Sequence, residues 1–200
     1  MGVIYLLGGV NAVGKTAVFE RLRHARPDIE IVHTASALMR RLGISTGDYQ
    51  ALRALPDVVK NRENGQLIID YAAQLAPTQT VVFDAHYLNL IRGELKPTIQ
   101  GDWLRVLNGM VLLDGHPSAI YDRIKNDGRD RQLFPAKSIP PTEEKRMIQT
   151  FMAATRKEFE RLAAHHGIPH QVIHNKQGDL GVAIQAFLHF DQAVRGLKTS

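Results

Sequence analysis

The chain has 200 residues, of which 44% are hydrophobic, and this size and composition fit a single α/β domain with one core. It contains no cysteine, which excludes a disulfide framework, a thiolate zinc site and cysteine catalysis. Its net charge of +5 is compatible with nucleic acid, with anionic metabolites or with neither, so the distribution of the charges has to decide between them.

The amino-terminal segment is a short apolar, β-branched run from Val3 to Leu7, which Gly8 and Gly9 end. No basic region precedes it, so we expect a first strand here and not a signal peptide. Its continuous hydrophobicity is typical of a parallel strand that is covered on both faces. Elsewhere no run reaches the roughly 18 apolar residues that a membrane span needs. We therefore expect a cytoplasmic protein without membrane contacts.

Strand and helix patterns alternate along the rest of the chain. The predicted strands are 3–7, 29–32, 80–84, 110–114 and 171–173. The predicted helices are 14–25, 35–42, 48–54, 56–75, 117–125, 142–166 and one that begins near Leu180. The segment 126–141, rich in charge, glycine and proline, is predicted to be an exposed loop that moves as a lid. This alternation predicts one α/β domain over residues 1–200, with helices on both faces of a parallel sheet.

A glycine-rich motif lies between the first strand and the first helix. It is Gly9-Val10-Asn11-Ala12-Val13-Gly14-Lys15-Thr16, which fits the pattern G-x-x-x-x-G-K-[ST] in its expected setting. Backbone N–H groups of such a loop surround phosphates, so we expect ATP and Mg²⁺ as cofactors. Lys15 should reach the β and γ phosphates, and the Thr16 hydroxyl should coordinate Mg²⁺. The alternative is an ordinary glycine turn before a helix. The motif predicts the P-loop NTPase fold, a three-layer structure with five parallel strands in the order 2-3-1-4-5.

Two aspartates stand at the carboxyl ends of predicted strands, where open α/β sheets bind ligands. We expect Asp84 to lie near the loop and to accept hydrogen bonds from magnesium-bound water. A helix cap or a turn is the alternative for this residue. Asp114 competes for the same role, but we favour its acting as a cap for the next helix.

Arginines that converge from separate segments indicate phosphoryl transfer, because the reaction spreads negative charge that must be neutralised without water. Arg129 and Arg131 lie in the predicted lid, and Arg156 lies on the long helix that follows it. Arg40 and Arg53 belong to a helical insertion over about 34–76, where an acceptor could be held. For each arginine, a solvated position on the surface is the alternative.

Taken together, these pieces resemble the adenylate kinase family, and in particular its short archaeal type. The matching segments are 9–16, 51–56, 81–86, 122–124 with Arg129 and Arg131, Arg156, and 173–175. The chain departs from the family's usual pattern at Asn11-Ala12, where proline and glycine are common. It also lacks the arginine that ordinary members place shortly after the aspartate at Asp84.

The resemblance implies a role for individual residues. Arg53 would hold the acceptor phosphate, Arg123 would lie near the donor base, and Arg156 would bridge the two phosphates. Arg129 and Arg131 would act from the lid, while His86, on the acceptor side, and Asn175, on the ATP side, would line the site less directly. A homo-oligomer is a further expectation from the resemblance.

These observations favour a nucleoside monophosphate kinase that catalyses ATP + AMP = 2 ADP, with small-molecule nucleotides as its partners. One alternative is a P-loop kinase for a hydroxyl group on a sugar, nucleoside or other metabolite, which would need a base such as Asp84. Another is an ATPase switch that acts on a protein or RNA. We do not expect a nucleic-acid partner, because the basic residues are interspersed with Asp122, Asp127 and Asp130.

Overall fold

The strands of the protein form one parallel sheet and one small hairpin. The computed structural model describes residues 2–127, 132–135, 137–176 and 179–197. The strands are β1 Val3–Gly8, β2 Ile29–His33, β3 Thr80–Ala85, β4 Leu88–Ile91, β5 Glu94–Pro97, β6 Gly109–Asp114 and β7 His170–His174. Five of them pair in the order β2-β3-β1-β6-β7, and all four neighbouring pairs are parallel. The predicted order 2-3-1-4-5 is confirmed, because β6 and β7 are the fourth and fifth strands of this sheet.

Seven α-helices connect the strands in the described part of the chain. They are α1 Lys15–Ala25, α2 Thr34–Arg41, α3 Tyr49–Ala54, α4 Asp57–Gln74, α5 Pro117–Asn126, α6 Pro141–His166 and α7 Leu180–Leu197, with a short 3₁₀ helix at Asp102–Val106. Their ends follow local signals: the Asp48 carboxylate accepts from the Ala51 N–H before α3, and Gly167, at φ 64°, ends α6. Among the described residues, no helix is long and apolar enough to span a membrane.

The sheet separates two apolar layers. All six residues of β1 are buried, as its unbroken hydrophobic sequence predicts. Tyr5 and its same-side neighbours pack against α1, α7 and part of α6, whereas Ile4 and Leu6 face the layer that includes Phe83 and Phe159. A central strand covered on both faces provides a rigid base for the loop that follows it.

The hairpin of β4 and β5 is absent from the sequence-based prediction. Its turn is Arg92-Gly93, with positive φ values of 50° and 87°, as a two-residue hairpin turn requires. All four residues of β5 are exposed, so the segment has no hydrophobic pattern that would mark it.

We expected the whole segment after α5 to be an exposed loop, but one of its described residues is buried. Leu133 is only 3% exposed, and its carbonyl accepts from the Gly93 N–H at 2.9 Å. The Arg92 N–H similarly donates to the Gln132 carbonyl at 2.6 Å. The described residues 132–135 are thus hydrogen-bonded to the tip of the hairpin.

Candidate active site

The glycine-rich motif forms a loop between β1 and α1. Ala12 and Gly14 adopt positive φ values of 61° and 101°. A Cβ atom at Gly14 would lie 2.4 Å from Asn175 Nδ2, so glycine is required here both for the backbone conformation and for the close approach. Residues 11–16 line a cleft of about 1020 Å³, whereas Val10 is buried in the core. A volume of this size can hold a nucleotide.

The Lys15 side chain joins the loop to the end of β3. Its Nζ atom lies 3.2 Å from the Gly9 carbonyl oxygen, 3.5 Å from His86 Nε2 and 4.0 Å from Asp84 Oδ1. An ammonium group can only donate, so His86 accepts through Nε2. His86, which we expect on the acceptor side, lies directly beside Lys15 in the structure. The cation, the carboxylate and the imidazole all line the same cleft.

Asp84 presents its two carboxylate oxygens to different surroundings. Oδ2 lies 3.4 Å from His33 Nδ1, whereas Oδ1 is buried and has no hydrogen-bond partner among the described residues. A buried carboxylate oxygen without a hydrogen bond is costly unless a cation or a bound donor approaches it. The Thr16 hydroxyl group lines the same cleft. These oxygen groups fit Mg²⁺, which Thr16 and Asp84 would hold and which would neutralise phosphate charge.

His33 is a site residue that the sequence patterns did not single out. It is the last residue of β2 and is in register with Asp84 of β3. The available signal was its place at the end of a predicted strand, since the carboxyl ends of parallel strands meet at one edge. His33 and Asp84 are far apart in the sequence, so the sequence alone does not indicate that they are in contact.

Asp114 has partners of its own at the end of β6. Oδ1 accepts from the Gly115 N–H at 2.9 Å, while Oδ2 lies 3.8 Å from His174 Nδ1 and 3.9 Å from Arg156 Nη1. It does not cap α5, because the N-cap of that helix is His116 and no side chain caps it. The interpretation of Asp114 as a helix cap is therefore wrong, although the structure does place Asp84 and not Asp114 beside Lys15.

Two side chains hold the loop from the opposite side of the cleft. Arg123 Nη1 donates to the carbonyl oxygens of Ala12 and Val13 at 3.2 and 3.3 Å. Asn175 Nδ2 donates to the Val13 carbonyl at 2.8 Å. Asn175 is 5% exposed and lines the cleft, and its Oδ1 atom has no hydrogen-bond partner among the described residues. That oxygen can accept a hydrogen bond from a group bound in the cleft.

Three other predicted arginines, Arg40, Arg53 and Arg156, do not line this cleft. Arg156 lies near Asp114 and, at 3.4 Å, near Glu160, while Arg40 is exposed on α2. Arg53 Nη1 donates to Gln132 Oε1 at 3.2 Å, so it reaches from the helical insertion to the segment after α5. The assignments of Arg129 and Arg131 lie outside the described residues. Among the described arginines, Arg21 and Arg123 line the cleft.

Residues 132–135 are also anchored on the side of α5 and α6. Lys125 Nζ lies 5.4 Å from the centre of the Phe134 ring and donates to Glu144 Oε1 at 2.8 Å. The Tyr121 hydroxyl donates to the other oxygen of Glu144 at 2.9 Å. Because Glu144 is 8% exposed, this pair of bonds satisfies a buried carboxylate next to the segment.

The chain matches no protein-family model and no curated protein. It is similar to solved structures of shikimate kinases. That from Bacteroides thetaiotaomicron has a TM-score of 0.64 and 13% identity, over 95% of this chain and 98% of the other. That from Acinetobacter baumannii, in complex with shikimate, has a TM-score of 0.60 and 14% identity, over 95% and 92%. That from Aquifex aeolicus has a TM-score of 0.57 and 13% identity, over 95% and 96%.

The chain shares the fold of these structures, a parallel five-stranded sheet with helices on both faces. At these identities the similarity establishes the architecture and the course of the chain, and no more. The adenylate kinase family specifically receives no support from these structures.

Proposed function

We propose that the protein is an ATP-dependent phosphotransferase that transfers the γ-phosphoryl group of ATP to a hydroxyl group of a small metabolite. The proposal rests on one observation: the buried Oδ1 atom of Asp84 has no hydrogen-bond partner in the described part of the chain and lies 4.0 Å from Lys15 Nζ, within the cleft of the glycine-rich loop. This arrangement places a carboxylate, a cation and a phosphate-binding backbone around one point.

The loop and Lys15 would bind the ATP phosphates. The backbone N–H groups of the loop and the start of α1 provide donors for phosphate oxygens. The Lys15 ammonium group, whose side chain is 10% exposed, would stabilise charge that develops on the β and γ phosphates. Mg²⁺, held by Thr16 and Asp84, would add positive charge at the same phosphates.

Asp84 would accept the proton that a hydroxyl acceptor must lose. The acceptor oxygen forms a bond to the γ phosphorus, the bond from phosphorus to the β–γ bridging oxygen breaks, and ADP leaves with that electron pair. The hydroxyl proton passes to the Asp84 carboxylate and then to solvent. Asp127 also lines the cleft, but Asp84 is the carboxylate beside Lys15.

The structural relatives support a small-metabolite acceptor. By their names they are kinases for shikimate, and one of them was solved with shikimate bound. The likeness alone does not identify the acceptor of this chain, so we propose the class of acceptor and leave its identity to experiment.

AMP is the second candidate acceptor. Its phosphate is already ionised and needs no base, but it requires cationic side chains around it. The observation in its favour is that Arg53 reaches Gln132, directly after the sequence segment that contains Arg129 and Arg131.

An acceptor screen separates these reactions. ADP formation from Mg²⁺ and ATP is measured without acceptor, with nucleoside monophosphates, and with hydroxyl metabolites that include shikimate, gluconate, sugars and nucleosides. We expect one hydroxyl metabolite to stimulate ADP formation and Lys15→Ala to abolish the stimulation. A response to AMP alone would establish the second candidate. ATP hydrolysis that no acceptor stimulates would contradict both and indicate an ATPase switch with a macromolecular partner.

A further inference from the structure

His33 occupies a defined position at the edge of the active-site cleft. It ends β2, and its register partner on β3 is Asp84. The ring is held from two sides: Nδ1 lies 3.4 Å from Asp84 Oδ2, and Nε2 lies 3.4 Å from Arg23 Nη2. Phe19 contacts the ring edge-on, with a centroid separation of 6.0 Å.

The Arg23 contact determines which ring nitrogen carries the proton. A guanidinium group has five donors and no acceptor, so Nε2 of His33 can contribute to this contact only as an acceptor. A neutral imidazole with an unprotonated Nε2 carries its proton on Nδ1. We assign that tautomer, in which Nδ1–H points at Asp84 Oδ2. Arg23 is itself oriented from the strand, since Nη2 also lies 3.5 Å from the Ile31 carbonyl oxygen.

From this geometry we infer that His33 is a positioning residue for Asp84. The hydrogen bonds run in one direction, from Arg23 to His33 and from His33 to Asp84. Because His33 occupies Oδ2, the carboxylate cannot turn freely, and Oδ1 remains directed at Lys15, 4.0 Å away. Oδ1 is then the oxygen available to magnesium-bound water. This inference rests on the proposed function, because it assigns Asp84 to the magnesium site.

A hydrogen bond to the second oxygen of a carboxylate at a metal site contributes to metal affinity. Removing an interaction of this kind typically lowers metal affinity by about 10 to 100 times. His33 would touch neither the metal nor the substrate, and its side chain is 45% exposed, so the protein should fold without it. The expected effect is therefore on the magnesium dependence of nucleotide binding.

Two substitutions separate the hydrogen bond from the mere presence of a side chain. The amide nitrogen of His33→Asn can stand near the position of Nδ1 and donate to Asp84, whereas that of His33→Gln stands near the position of Nε2. ATP binding is measured by calorimetry with Mg²⁺ and with EDTA. We expect His33→Gln to weaken the magnesium-dependent binding about tenfold and His33→Asn to change it about twofold or less. Binding in EDTA should be unchanged in both, and equal losses in the two variants would overturn the inference.

A nitrogen NMR measurement tests the tautomer without ATP or any acceptor. The spectrum of ¹⁵N-histidine-labelled protein is assigned to His33 by comparison with His33→Asn. We expect the Nδ1–H form in the wild type and a mixture of tautomers in Arg23→Met. A dominant Nε2–H form in the wild type would refute the proposed chain of hydrogen bonds.

The binding measurements also distinguish failure of the inference from failure of the proposed function. If Lys15→Ala abolishes ATP binding but His33→Gln does not alter the magnesium dependence of ATP binding, the inference fails and the proposed function stands. If the wild type does not bind ATP with Mg²⁺, the proposed function fails and the positioning role fails with it.

Discussion

A carboxylate lies near each end of the sheet, and the two differ in how completely their oxygens are hydrogen-bonded. At the amino end, Asp191 of α7 is 1% exposed and is fully engaged: Tyr5 donates to it at 2.8 Å, Arg195 at 3.0 Å, and Arg26 lies 3.6 Å away. At the carboxyl end, Asp84 has one buried oxygen that accepts no hydrogen bond from any described residue. A satisfied buried carboxylate contributes to stability, whereas an unsatisfied one marks a place where a ligand completes the structure.

Removal of the carboxylate at the amino end should have the largest effect on stability. Asp191→Ala leaves Arg195 without its partner and Tyr5 without its acceptor, so the free energy of unfolding should fall by about 3–5 kcal/mol. Urea unfolding measures this loss. Asp28→Ala is the matched control, because Asp28 also pairs with Arg26, at 2.7 Å, but its side chain is 53% exposed. That control should lose about 1 kcal/mol or less. Equal losses in the two variants would remove the contrast between the two ends of the sheet.

At the carboxyl end, Asp84→Asn should lower activity strongly but change stability little. The amide cannot accept the proton of a hydroxyl acceptor, so kcat should fall by at least about 100-fold. The free energy of unfolding should change by less than about 1 kcal/mol, because one oxygen has no hydrogen bond to lose. Steady-state kinetics and urea unfolding of the same preparation test both statements. A large loss of stability with unchanged kcat would show that Asp84 is structural.

High pH should weaken the amino end of the sheet through Tyr5. Burial, with the hydrogen bond to Asp191, raises the pKa of Tyr5 far above its usual value of 10.0. In the unfolded chain this hydroxyl ionises near pH 10, so the stability it confers is fully present below that pH and is lost as the pH rises further. The expected loss is about 1.4 kcal/mol per pH unit. Tyr5→Phe should flatten this part of the stability profile, and an unchanged slope in this variant would contradict the explanation.

Two glycine substitutions should produce the smallest effects and test the loop. Gly14 and Gly43 both have positive φ, 101° and 70°, so alanine at Gly43 should cost about 1–2 kcal/mol of stability, and at Gly14 it should cost at least that much. Only Gly14 lies near Asn175, whereas nothing lies within 4 Å of a Cβ atom at Gly43. Gly14→Ala should therefore weaken ATP binding about tenfold. Gly43→Ala should not, and calorimetry can compare the two. If both variants bind ATP equally, the packing of Asn175 against the loop has no role in binding.

The parts of the fold that follow local rules could be predicted from the chain alone. The central strands β1, β3 and β6 are short, largely apolar runs, and some helix ends coincide with a local signal, such as Asp48 before α3 and Gly167 after α6. The hairpin of β4 and β5 was missed, because the exposed β5 has no hydrophobic periodicity and the alternation in β4 covers only four residues. The burial of Leu133 was missed for a related reason: one apolar residue in a charged loop carries no pattern.

The sequence by itself determined the glycine-rich loop between the first strand and the first helix and the place of Asp84 at the end of a strand, and the strand order followed only through the fold that this loop is typical of. These features depend on contiguous residues whose chemistry is local. Only the tertiary structure decided that His33 faces Asp84, that Asp114 faces Arg156 and His174, and that Arg53 reaches Gln132. Each of these contacts joins residues that are at least 42 positions apart in the chain. The relative placement of separate elements is set by packing and strand register, which single-sequence patterns do not encode.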